Sequence, residues 1–330
     1  MKFIITVDAE ADNQWNGNGC ASVENIRYLP RFQSLCEDHG FRPTYLVTWE
    51  VVADMASRDM LGGWARNGAA EIGAHLHPWS TPPFSEEERK EPRVQSLPCE
   101  LDNESLDRKL VWLTEHLTNA FHLPPAGFRA GRWGLDGRTV AHLGRLGYQA
   151  DCSVTPKLNW KETMGRRNSP GGPDFRKAPV RPYFPSCDDV CRPGFGRVLE
   201  VPPTILYTGR FVREESDAAR RFSALPDNFM KRLLDRLFFR RRWLRIEPWS
   251  RCRDWTAIYR AAERNNLEVL EFMIHSSELM PGGSPLSPTP ESVERIYGLL
   301  TELFRDYRAR GAEGIPLGEY ARSRLPADGR

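Results

Sequence analysis

The sequence predicts an α/β barrel in which parallel strands alternate with helices. Short apolar runs of strand length alternate with segments of helical periodicity along most of the 330 residues, and strands that are separated by helices pair in parallel. Histidines, carboxylates and an arginine recur where the apolar runs stop. The carboxyl ends of barrel strands meet at one mouth, which is where such a fold places its chemistry.

The individual elements follow from local signals along the chain. Strands are predicted at about 2–7, 44–48, 70–75, 127–129, 148–151, 198–201 and 268–274. Helices are predicted at about 30–40, 50–66, 104–120, 136–147, 227–242, 253–265 and 290–308. Pro30 suits the first turn of its helix, and Gly147 is a typical helix end.

The chain is predicted to form a single domain over 1–330, because no internal repeat and no change of composition divides it. The stretch at about 155–196 is rich in proline, glycine, asparagine and charge. We interpret it as a long loop excursion from the barrel, and loops of this length on a compact fold are often functional.

The composition argues against a protein that binds nucleic acid or crosses a membrane. Charged residues make up 27% of the chain, but the formal net charge is only +2, so no strong field favours nucleic acid. No apolar segment is long enough to span a bilayer. The apolar start runs straight into acids, so we interpret it as a first strand and not a signal peptide. The seven cysteines are odd in number and scattered, so we expect reduced thiols and a cytoplasmic location.

Side chains at two strand ends form a candidate metal site. Residues two apart in a strand face the same side, so Asp8 can face the same site as Glu10, and His75 the same site as His77. One carboxylate and two imidazoles leave positions open on a divalent ion, as catalytic sites require. A lone acid at a strand end is more often a cap or a loop hydrogen bonder, and this is our interpretation of Asp12.

Four motifs, in this order, resemble those of the polysaccharide deacetylase family, also called the NodB homology domain. They are Thr-Val-Asp-x-Glu at 6–10, Glu-Ile-Gly-x-His at 71–75, Phe-Arg-x-Gly-x-Trp-Gly at 128–134, and a late strand that ends in Ile-His at 274–275. Ser-Val-Thr-Pro at 153–156 and the run at 275–283 are similar to a subgroup found among bacterial surface-polysaccharide enzymes. The resemblance covers roughly residues 2–320.

The resemblance implies a distorted (β/α) barrel of about seven parallel strands, a divalent metal ion, and hydrolysis of an N-acetyl group of an amino sugar. Asp8 matches the family's catalytic base, and Arg129 is similar to the arginine that holds this base. Glu10 is similar to the metal-binding acid, His75 matches the first metal histidine, and His275 matches the general acid. We expect Arg129 to hold Asp8 through a two-point contact that keeps the carboxylate ionised.

Two departures from the family pattern leave the third metal ligand open. The family commonly has adjacent aspartates in the first motif, where residues 8–10 are Asp-Ala-Glu, and it commonly spaces its histidines H-x3-H, where this chain has His75, His77 and then Trp79. Either His77 supplies the third ligand from a different backbone geometry, or fewer protein groups and more water hold the metal, or no metal binds. Zinc is the expected ion, with cobalt, manganese or nickel as alternatives, because mixed nitrogen and oxygen ligands discriminate weakly among them.

Aromatic and basic residues near these motifs are candidates for substrate contacts. Trp79 and Trp133, like Trp15, either pack on the apolar face of a sugar ring or pack within the core and loops. Arg132 is either a substrate contact or a solvated charge. The segment at 231–245 carries seven basic residues and one acid. It is either a face that lies on anionic membranes or binds phosphates, or the solvated side of an exterior helix.

These observations favour a metal-dependent hydrolase that removes an N-acetyl group from an amino sugar of a glycan or glycan precursor. The basic segment would suit a lipid-linked or nucleotide-linked sugar and a peripheral contact at the inner membrane of a bacterium. One alternative is an enzyme that hydrolyses a formamide or another C–N bond outside sugars. Another is a catalytically silent scaffold that binds carbohydrate or a membrane surface, an alternative that the H-x-H spacing favours.

Overall fold

Strands and helices alternate in the computed structural model, which describes residues 1–12, 22–90, 94, 96–163, 165 and 169–325. The strands are β1 (Lys2–Ala9), β2 (Thr44–Val47), β3 (Glu71–Leu76), β4 (Gly127–Ala130), β5 (Ala150–Asp151), β6 (Leu199–Glu200), β7 (Ile205–Tyr207), β8 (Arg241–Trp243), β9 (Val269–His275) and β10 (Glu313–Gly314). The helices are α1 (Leu29–Asp38), α2 (Trp49–Ala53), α3 (Met55–Arg66), α4 (Glu86–Lys90), α5 (Asn103–Phe121), α6 (Gly137–Leu146), α7 (Asp217–Ala224), α8 (Phe229–Leu234), α9 (Cys252–Arg264), α10 (Pro290–Ala309) and α11 (Leu317–Arg324).

The central sheet is a distorted barrel of parallel strands, which confirms the predicted fold class. Seven strands follow one another in the order β9-β1-β2-β3-β4-β5-β6 with parallel pairing throughout, and the short β10 pairs with the start of β1. On the edge of β9 that faces away from β1, Thr204 N donates to the carbonyl of Glu271 and Arg245 forms a bridge with Met273. The segments that flank β7 and β8 therefore cover the side on which β9 has no neighbour in the barrel.

The strand register brings the functional side chains next to one another. Asp8 in β1 is paired with His275 in β9, and His75 in β3 is paired with Arg129 in β4. All four lie at or near the carboxyl ends of their strands. They therefore open on the same mouth of the barrel.

The first strand and the long helix α10 pack into one large apolar core. The ring of Phe3 in β1 makes edge contacts with Phe304 and Tyr307 in α10, at centroid distances of 6.2 and 5.1 Å. A separate small cluster is built on Tyr207 and Phe222, which belong to β7 and α7. The interpretation of 1–330 as one domain stays a prediction.

The predicted helix at 50–66 is two helices, α2 and α3. Asp54 separates them, because its extended backbone ends α2 and its carboxylate accepts a hydrogen bond of 2.8 Å from Ser57 N at the start of α3. An aspartate in this position is a strong helix cap. The elements β7, β8, β10, α4, α7 and α11 were not predicted, and most of them are short.

The predicted helix at 227–242 is wrong in its second half. The helix α8 passes into a π-helical turn at Asp235–Phe239, after which Arg240 takes a φ of 54°. The chain then forms β8, which pairs antiparallel with β7. Pairing with a strand far away in the sequence has overridden the helical periodicity, so the basic segment at 231–245 is not one exterior helix.

The stretch at 155–196 contains no helix or strand of those named above over 155–163, 165 and 169–196. Isolated bridges join Asn159 to Asp174 and Tyr183 to Glu200 of β6, so the stretch is tied to the sheet. Six cysteines lie within the described residues and are free thiols, whereas Cys20 lies outside them.

Candidate active site

The mouth of the barrel forms a cleft with a volume of about 360 Å³. Among the residues that the structure describes, its lining includes all those that the sequence proposed for catalysis, metal binding or substrate contact, namely Asp8, Glu10, His75, His77, Trp79, Arg129, Arg132, Trp133 and His275. The lining is completed by Ala130, Trp160, Thr163 and Arg245. The fold therefore gathers in one place side chains that lie as far apart in sequence as the first and the last barrel strands.

Glu10, His75 and His77 bring three ligand atoms together. Glu10 Oε2 lies 2.8 Å from His77 Nε2 and 3.6 Å from His75 Nε2, and the three ligand atoms all lie within 4.8 Å of one another. All three side chains are buried. His75 lies in β3 and His77 directly follows the strand, so the two imidazoles project to the same side. This arrangement favours the first of the three options considered for the H-x-H spacing.

The surroundings of both histidines suit metal ligands. His75 Nδ1 lies 2.9 Å from the carbonyl of Arg129 and donates to it, which turns Nε2 towards the cluster, where the neutral ring would offer its lone pair to a metal ion. His77 Nδ1 is buried without a hydrogen-bond partner among the described residues. A Cβ atom on Gly131 would lie 2.5 Å from this nitrogen, so glycine leaves room for the ring. Two imidazole nitrogens and one carboxylate oxygen fit a divalent ion that keeps open positions.

Mutual contacts set the charge of the three groups. Burial acts to raise the pKa of Glu10, but hydrogen bonds from His75 and His77 hold that pKa far below its usual range. Burial and the neighbouring His75 lower the pKa of His77. The pKa of His75 is raised, because the charge of Asp8 and the hydrogen bond to Glu10 outweigh burial. Glu10 is therefore ionised near neutrality, as a metal ligand must be.

Arg129 links the candidate base to a second buried acid. Its Nη1 donates to Asp8 Oδ1 at 2.5 Å, while its Nη2 donates to Glu271 Oε1 and to Thr6 Oγ1, each at 2.8 Å. The predicted two-point contact with Asp8 is therefore wrong, because Glu271 on the neighbouring strand takes the second nitrogen. Although burial acts to raise the pKa of Asp8, the guanidinium lowers it below its usual range. Burial raises the pKa of Glu271 despite the same guanidinium.

His275 is held by an ion pair that the sequence analysis missed. Its Nδ1 donates to Glu278 Oε1 at 2.8 Å, and its Nε2 lies 3.7 Å from Asp8 Oδ2. Arg245 Nη2 donates to the same oxygen of Glu278 at 3.2 Å. Burial acts to lower the pKa of His275, but the hydrogen bond and charge of Glu278 raise it overall. The imidazole is thus suited to carry a proton near neutrality.

Two of the three site residues that were not predicted, Thr6 and Glu271, could have been found from their spacing in the sequence. Thr6 lies two residues before Asp8, and Glu271 lies four residues before His275, so each shares a strand face with a proposed site residue. Glu278 lies three residues after His275, where a 3-10 turn carries its carboxylate back to the imidazole. Period-two spacing points to the first two residues, but only the turn geometry identifies the third.

Tryptophan rings form part of the cleft wall. The ring of Trp79 lies 4.2 Å from the ring of His77, measured between centroids. Trp133 lies under the guanidinium of Arg129 at 5.3 Å and stacks with Trp160 at 6.3 Å. Apolar rings and a few polar groups in a concave site are typical of small-molecule binding.

The turn that carries Arg132 and Trp133 has an uncommon backbone. Their φ angles are 52° and 61°, in the left-handed region that residues other than glycine seldom adopt. Such strain clusters at functional sites, and here it aims both side chains at the cleft. Trp15, which the sequence grouped with these aromatic residues, lies outside the described residues.

Asp12 has the role of a loop hydrogen bonder, as interpreted from the sequence. Its Oδ2 accepts hydrogen bonds from Ser22 Oγ at 2.7 Å and from Glu24 N at 2.9 Å. Its Oδ1 accepts a hydrogen bond from Asn25 N at 2.9 Å. The carboxylate therefore holds the start of the next 3-10 turn and does not line the cleft.

Comparison with known proteins gives relatives in structure only. No family model matches the chain, and no curated protein matches it in sequence. The chain is similar to a structure described as a candidate polysaccharide deacetylase from Mycobacterium smegmatis, with 15% identity, a TM-score of 0.56, and coverage of 98% of this chain and 90% of that one. It is also similar to a candidate glycoside hydrolase/deacetylase from Parabacteroides distasonis, with 12% identity, a TM-score of 0.59, and coverage of 97% and 70%.

A third similar structure is a GH57 branching enzyme from Thermococcus kodakaraensis, with 11% identity, a TM-score of 0.52, and coverage of 98% and 71%. At these identities the likeness shows the fold, which is the distorted barrel of the polysaccharide deacetylase, or NodB homology, type. Because a similar barrel also occurs in a branching enzyme, the chemistry of this chain has to be argued from its own site.

Proposed function

We propose that the chain is a divalent-metal-dependent hydrolase that removes an N-acetyl group from an amino sugar of a glycan or glycan precursor. The observation that carries the proposal is a cluster of three ligand atoms beside a candidate base and a candidate acid. Asp8 Oδ2 lies 3.9 Å from His75 Nε2 and 3.7 Å from His275 Nε2. Amide hydrolysis needs a base for the attacking water and an acid for the leaving amine, and both line this cleft.

Each residue of the site has a distinct role in this proposal. Asp8, kept ionised by Arg129, accepts a proton from the attacking water. His275, held by Glu278, donates a proton from Nε2 to the departing nitrogen. Arg129 positions two groups at once, because its guanidinium holds Asp8 while its carbonyl holds His75 Nδ1. Such support fixes a site to the precision that catalysis requires.

Glu10, His75 and His77 are the side chains that would hold the metal ion. When bound in a site of this kind, a divalent ion lowers the pKa of its water and polarises the substrate carbonyl. Zinc is the expected ion, with cobalt, manganese or nickel as alternatives, since the donor set does not discriminate sharply among them.

The cleft supports a sugar as the group that carries the amide. Trp79 and Trp133 supply indole surfaces on which the apolar face of a sugar ring can pack, and Arg132 adds a polar contact. Two of the similar structures are described as candidate deacetylases, which agrees with this assignment. The link to bacterial surface polysaccharides and the cytoplasmic location stay predictions from the sequence.

Release of acetate from a panel of N-acetylated glycans and sugar nucleotides tests the proposal. We expect the zinc-loaded protein to release acetate and an equal amount of free amine from at least one member, and the Asp8→Asn variant to release neither at a comparable rate. Release of formate from N-formyl analogues without release of acetate would favour the formamide alternative. A protein that binds no stoichiometric divalent metal and releases neither acid would favour the silent scaffold.

A further inference from the structure

Exposed apolar side chains are concentrated in one part of the described chain. Eight of the large apolar residues that are exposed lie within 211–249, and four lie elsewhere. Six of the eight form what we call the apolar crest: Phe211, Phe229, Met230, Leu233, Leu237 and Phe238. Phe211 is 92% exposed and Phe229 is 79% exposed, so these side chains project into solvent and do not line a groove.

The crest faces outward because the opposite side of the same segment is anchored. Phe239 stacks on Phe222 with ring centroids 3.7 Å apart. Lys231 is buried, and its Nζ donates to the carbonyls of Ser223 and Leu225. The segment thus turns a lysine inward and apolar side chains outward, which reverses the usual amphipathic pattern. Large exposed apolar patches mark interaction sites.

The loop after β7 brings Phe211 beside the rest of the crest. Thr208 N donates to the carbonyl of Arg240 at 3.1 Å, and Gly209 N donates to the carbonyl of Phe239 at 2.9 Å. Two hydrogen bonds therefore fix this loop against the end of the π-helical turn. The crest is therefore made from two parts of the chain whose backbones these hydrogen bonds join.

Arginines are interleaved with the crest residues. Arg232, Arg236 and Arg240 are all exposed, and the guanidinium of Arg210 lies 5.6 Å from the ring centroid of Phe211. The acid within 229–240, Asp235, turns one carboxylate oxygen to the backbone N–H of Arg241. The exposed charged residues of 229–240 are all positive, because Asp235 is only partly exposed.

We propose that the apolar crest docks on an anionic lipid surface. Its apolar side chains would enter the headgroup region while the interleaved arginines contact lipid phosphates, the arrangement of interfacial amphipathic segments. A second copy of the chain fits less well, because a symmetric crest-to-crest contact would place like charges opposite each other. No helix of the described residues is long and apolar enough to span a bilayer, so the contact would be peripheral.

The crest is joined to the cleft by a short piece of chain. Arg240 leads into β8, and the ring of Trp243 at its end lies 5.5 Å from the ring of Trp133 in the cleft wall. Docking at the crest would hold the barrel mouth near the lipid surface. This inference does not depend on the proposed function, because it concerns binding and not turnover.

The structure also changes which charges face lipid within the basic segment. Arg241 donates to the carbonyl of Lys157 at 3.1 Å, and Arg242 donates to Asp254 Oδ1 at 3.2 Å. Arg245 is bound to Glu278. These three arginines have partners within the fold, so the exposed Arg232 and Arg236 are the ones to substitute.

Co-sedimentation of the full chain with lipid vesicles tests the proposal. We expect binding to vesicles of phosphatidylcholine mixed with phosphatidylglycerol at low salt, and weaker binding at high salt because the charges are screened. Leu237→Gln with Phe238→Gln should lower the partition coefficient by about tenfold or more through lost apolar burial. The control Leu123→Gln, exposed on another part of the fold, should bind as the wild type does.

A second variant tests the charge contribution. Arg232→Gln with Arg236→Gln should lower binding roughly fivefold for each arginine, since one basic residue near an anionic surface contributes about 1 kcal/mol. Arg108→Gln, exposed on α5, is the matched control. Thermal melts of all variants should match the wild type, because the substituted side chains are exposed.

Three results would overturn the proposal. One is a wild type that does not sediment with anionic vesicles at low salt. Another is unchanged lipid binding in both the apolar variant, Leu237→Gln with Phe238→Gln, and the charge variant, Arg232→Gln with Arg236→Gln. The third is a dimer, seen by light scattering, that the Leu237→Gln with Phe238→Gln variant converts to a monomer while lipid binding is absent, since the occupant of the crest would then be a second copy of the chain.

Discussion

The barrel mouth and the apolar crest both depart from the usual distribution of side chains, but in opposite directions. At the mouth, Asp8, Arg129 and Glu271 are at most 2% exposed although all three are ionisable. At the crest, Phe211 and Phe229 are among the most exposed side chains. Burying charge is costly unless the charges are paired, and exposing a large apolar patch is costly unless something covers it.

The two regions differ in where their side chains find partners. The acids and the arginine of the mouth are paired with one another through the strand register, so this region is organised by the chain itself. The crest has a fixed underside and an uncovered outer face, so its partner lies outside the chain. Perturbing one region should therefore leave the other intact.

Removing a proposed metal ligand should abolish the proposed activity of the mouth. His75→Ala or His77→Ala should lose stoichiometric metal and turnover, because two remaining groups rarely hold a labile ion. The loss of metal affinity should exceed the roughly 10–100-fold that follows removal of an outer-shell partner. Elemental analysis and acetate release measure both effects, with His142→Ala on α6 as the control. Full occupancy and activity in His77→Ala would mean that another residue completes the shell.

Removing the proposed base or the proposed acid should lower turnover without loss of metal binding. Asp8→Asn and His275→Ala should each lower kcat by about 10²–10⁴-fold, the usual contribution of a general acid or base. Arg129→Lys should also be damaging, because one ammonium cannot reproduce the fork that reaches Asp8 and Glu271. Steady-state kinetics with metal analysis checks these variants. A rate like that of the wild type would remove the substituted residue from the mechanism.

Filling the space beside His77 should weaken metal binding without deleting a ligand. The Cβ atom of Gly131→Ala would lie 2.5 Å from His77 Nδ1 and 2.5 Å from the carbonyl of Leu76, so the ring or the backbone must move. We expect a loss of metal affinity of about 10–100-fold, measured by competition with a chelator. Gly298→Ala on α10, where nothing lies within 4 Å, is the control. Equal affinities in the two variants would show that the ring position of His77 is unimportant.

Neutralising the partner of His275 should shift the pH profile. Burial acts to lower the pKa of His275, and Glu278 raises it, so in the wild type kcat should fall as pH rises through this raised pKa. In Glu278→Gln the pKa of His275 should drop, because the charge that favours the imidazolium is gone. The alkaline limb should therefore move to lower pH, whereas the exposed control Glu294→Gln should leave it in place. An unmoved limb in Glu278→Gln would mean that His275 is not the acid.

Two adjacent phenylalanines should differ in their contribution to stability. Phe239→Ala should cost about 2 kcal/mol, less than a fully buried phenylalanine because the ring is only partly buried against Phe222. Phe238→Ala should change the free energy of unfolding by no more than about 0.5 kcal/mol, since its ring is 60% exposed. Denaturant unfolding of the two variants gives both values. Equal losses would show that the crest is part of the core of the molecule.

Much of the fold and the positions of the candidate site residues could be predicted because they depend on short-range patterns. Apolar runs and helix signals predicted the seven barrel strands to within a few residues. Because residues two apart in a strand face the same side, the sequence also predicted that Asp8 faces the same site as Glu10, and His75 the same site as His77. Each inference needed only the geometry of a single strand. The cleft that brings these pairs together followed from the tendency of barrel strand ends to converge.

The parts that failed depend on contacts between distant segments. A periodic sequence at 227–242 indicated one helix, but β8 forms there because β7 offers a pairing edge. Glu271 was missed because its role is to bind the guanidinium of Arg129 together with Asp8. Arg129 lies on another strand, so no local pattern around Glu271 indicates this contact. The predicted two-point grip on Asp8 was wrong for the same reason, since a second acceptor competes for the guanidinium.

Which side chains stand at the ends of the strands, and which pairs share a strand face, could be inferred without a structure, because alternation along an extended chain is a local property. The pairing of Asp8 with His275, the two acids on Arg129 and the outward direction of the crest side chains were visible in the folded structure alone. These outcomes depend on register and on which segments pack together. Register and packing are set by the free energy of the complete fold, which cannot be calculated from any local pattern of residues.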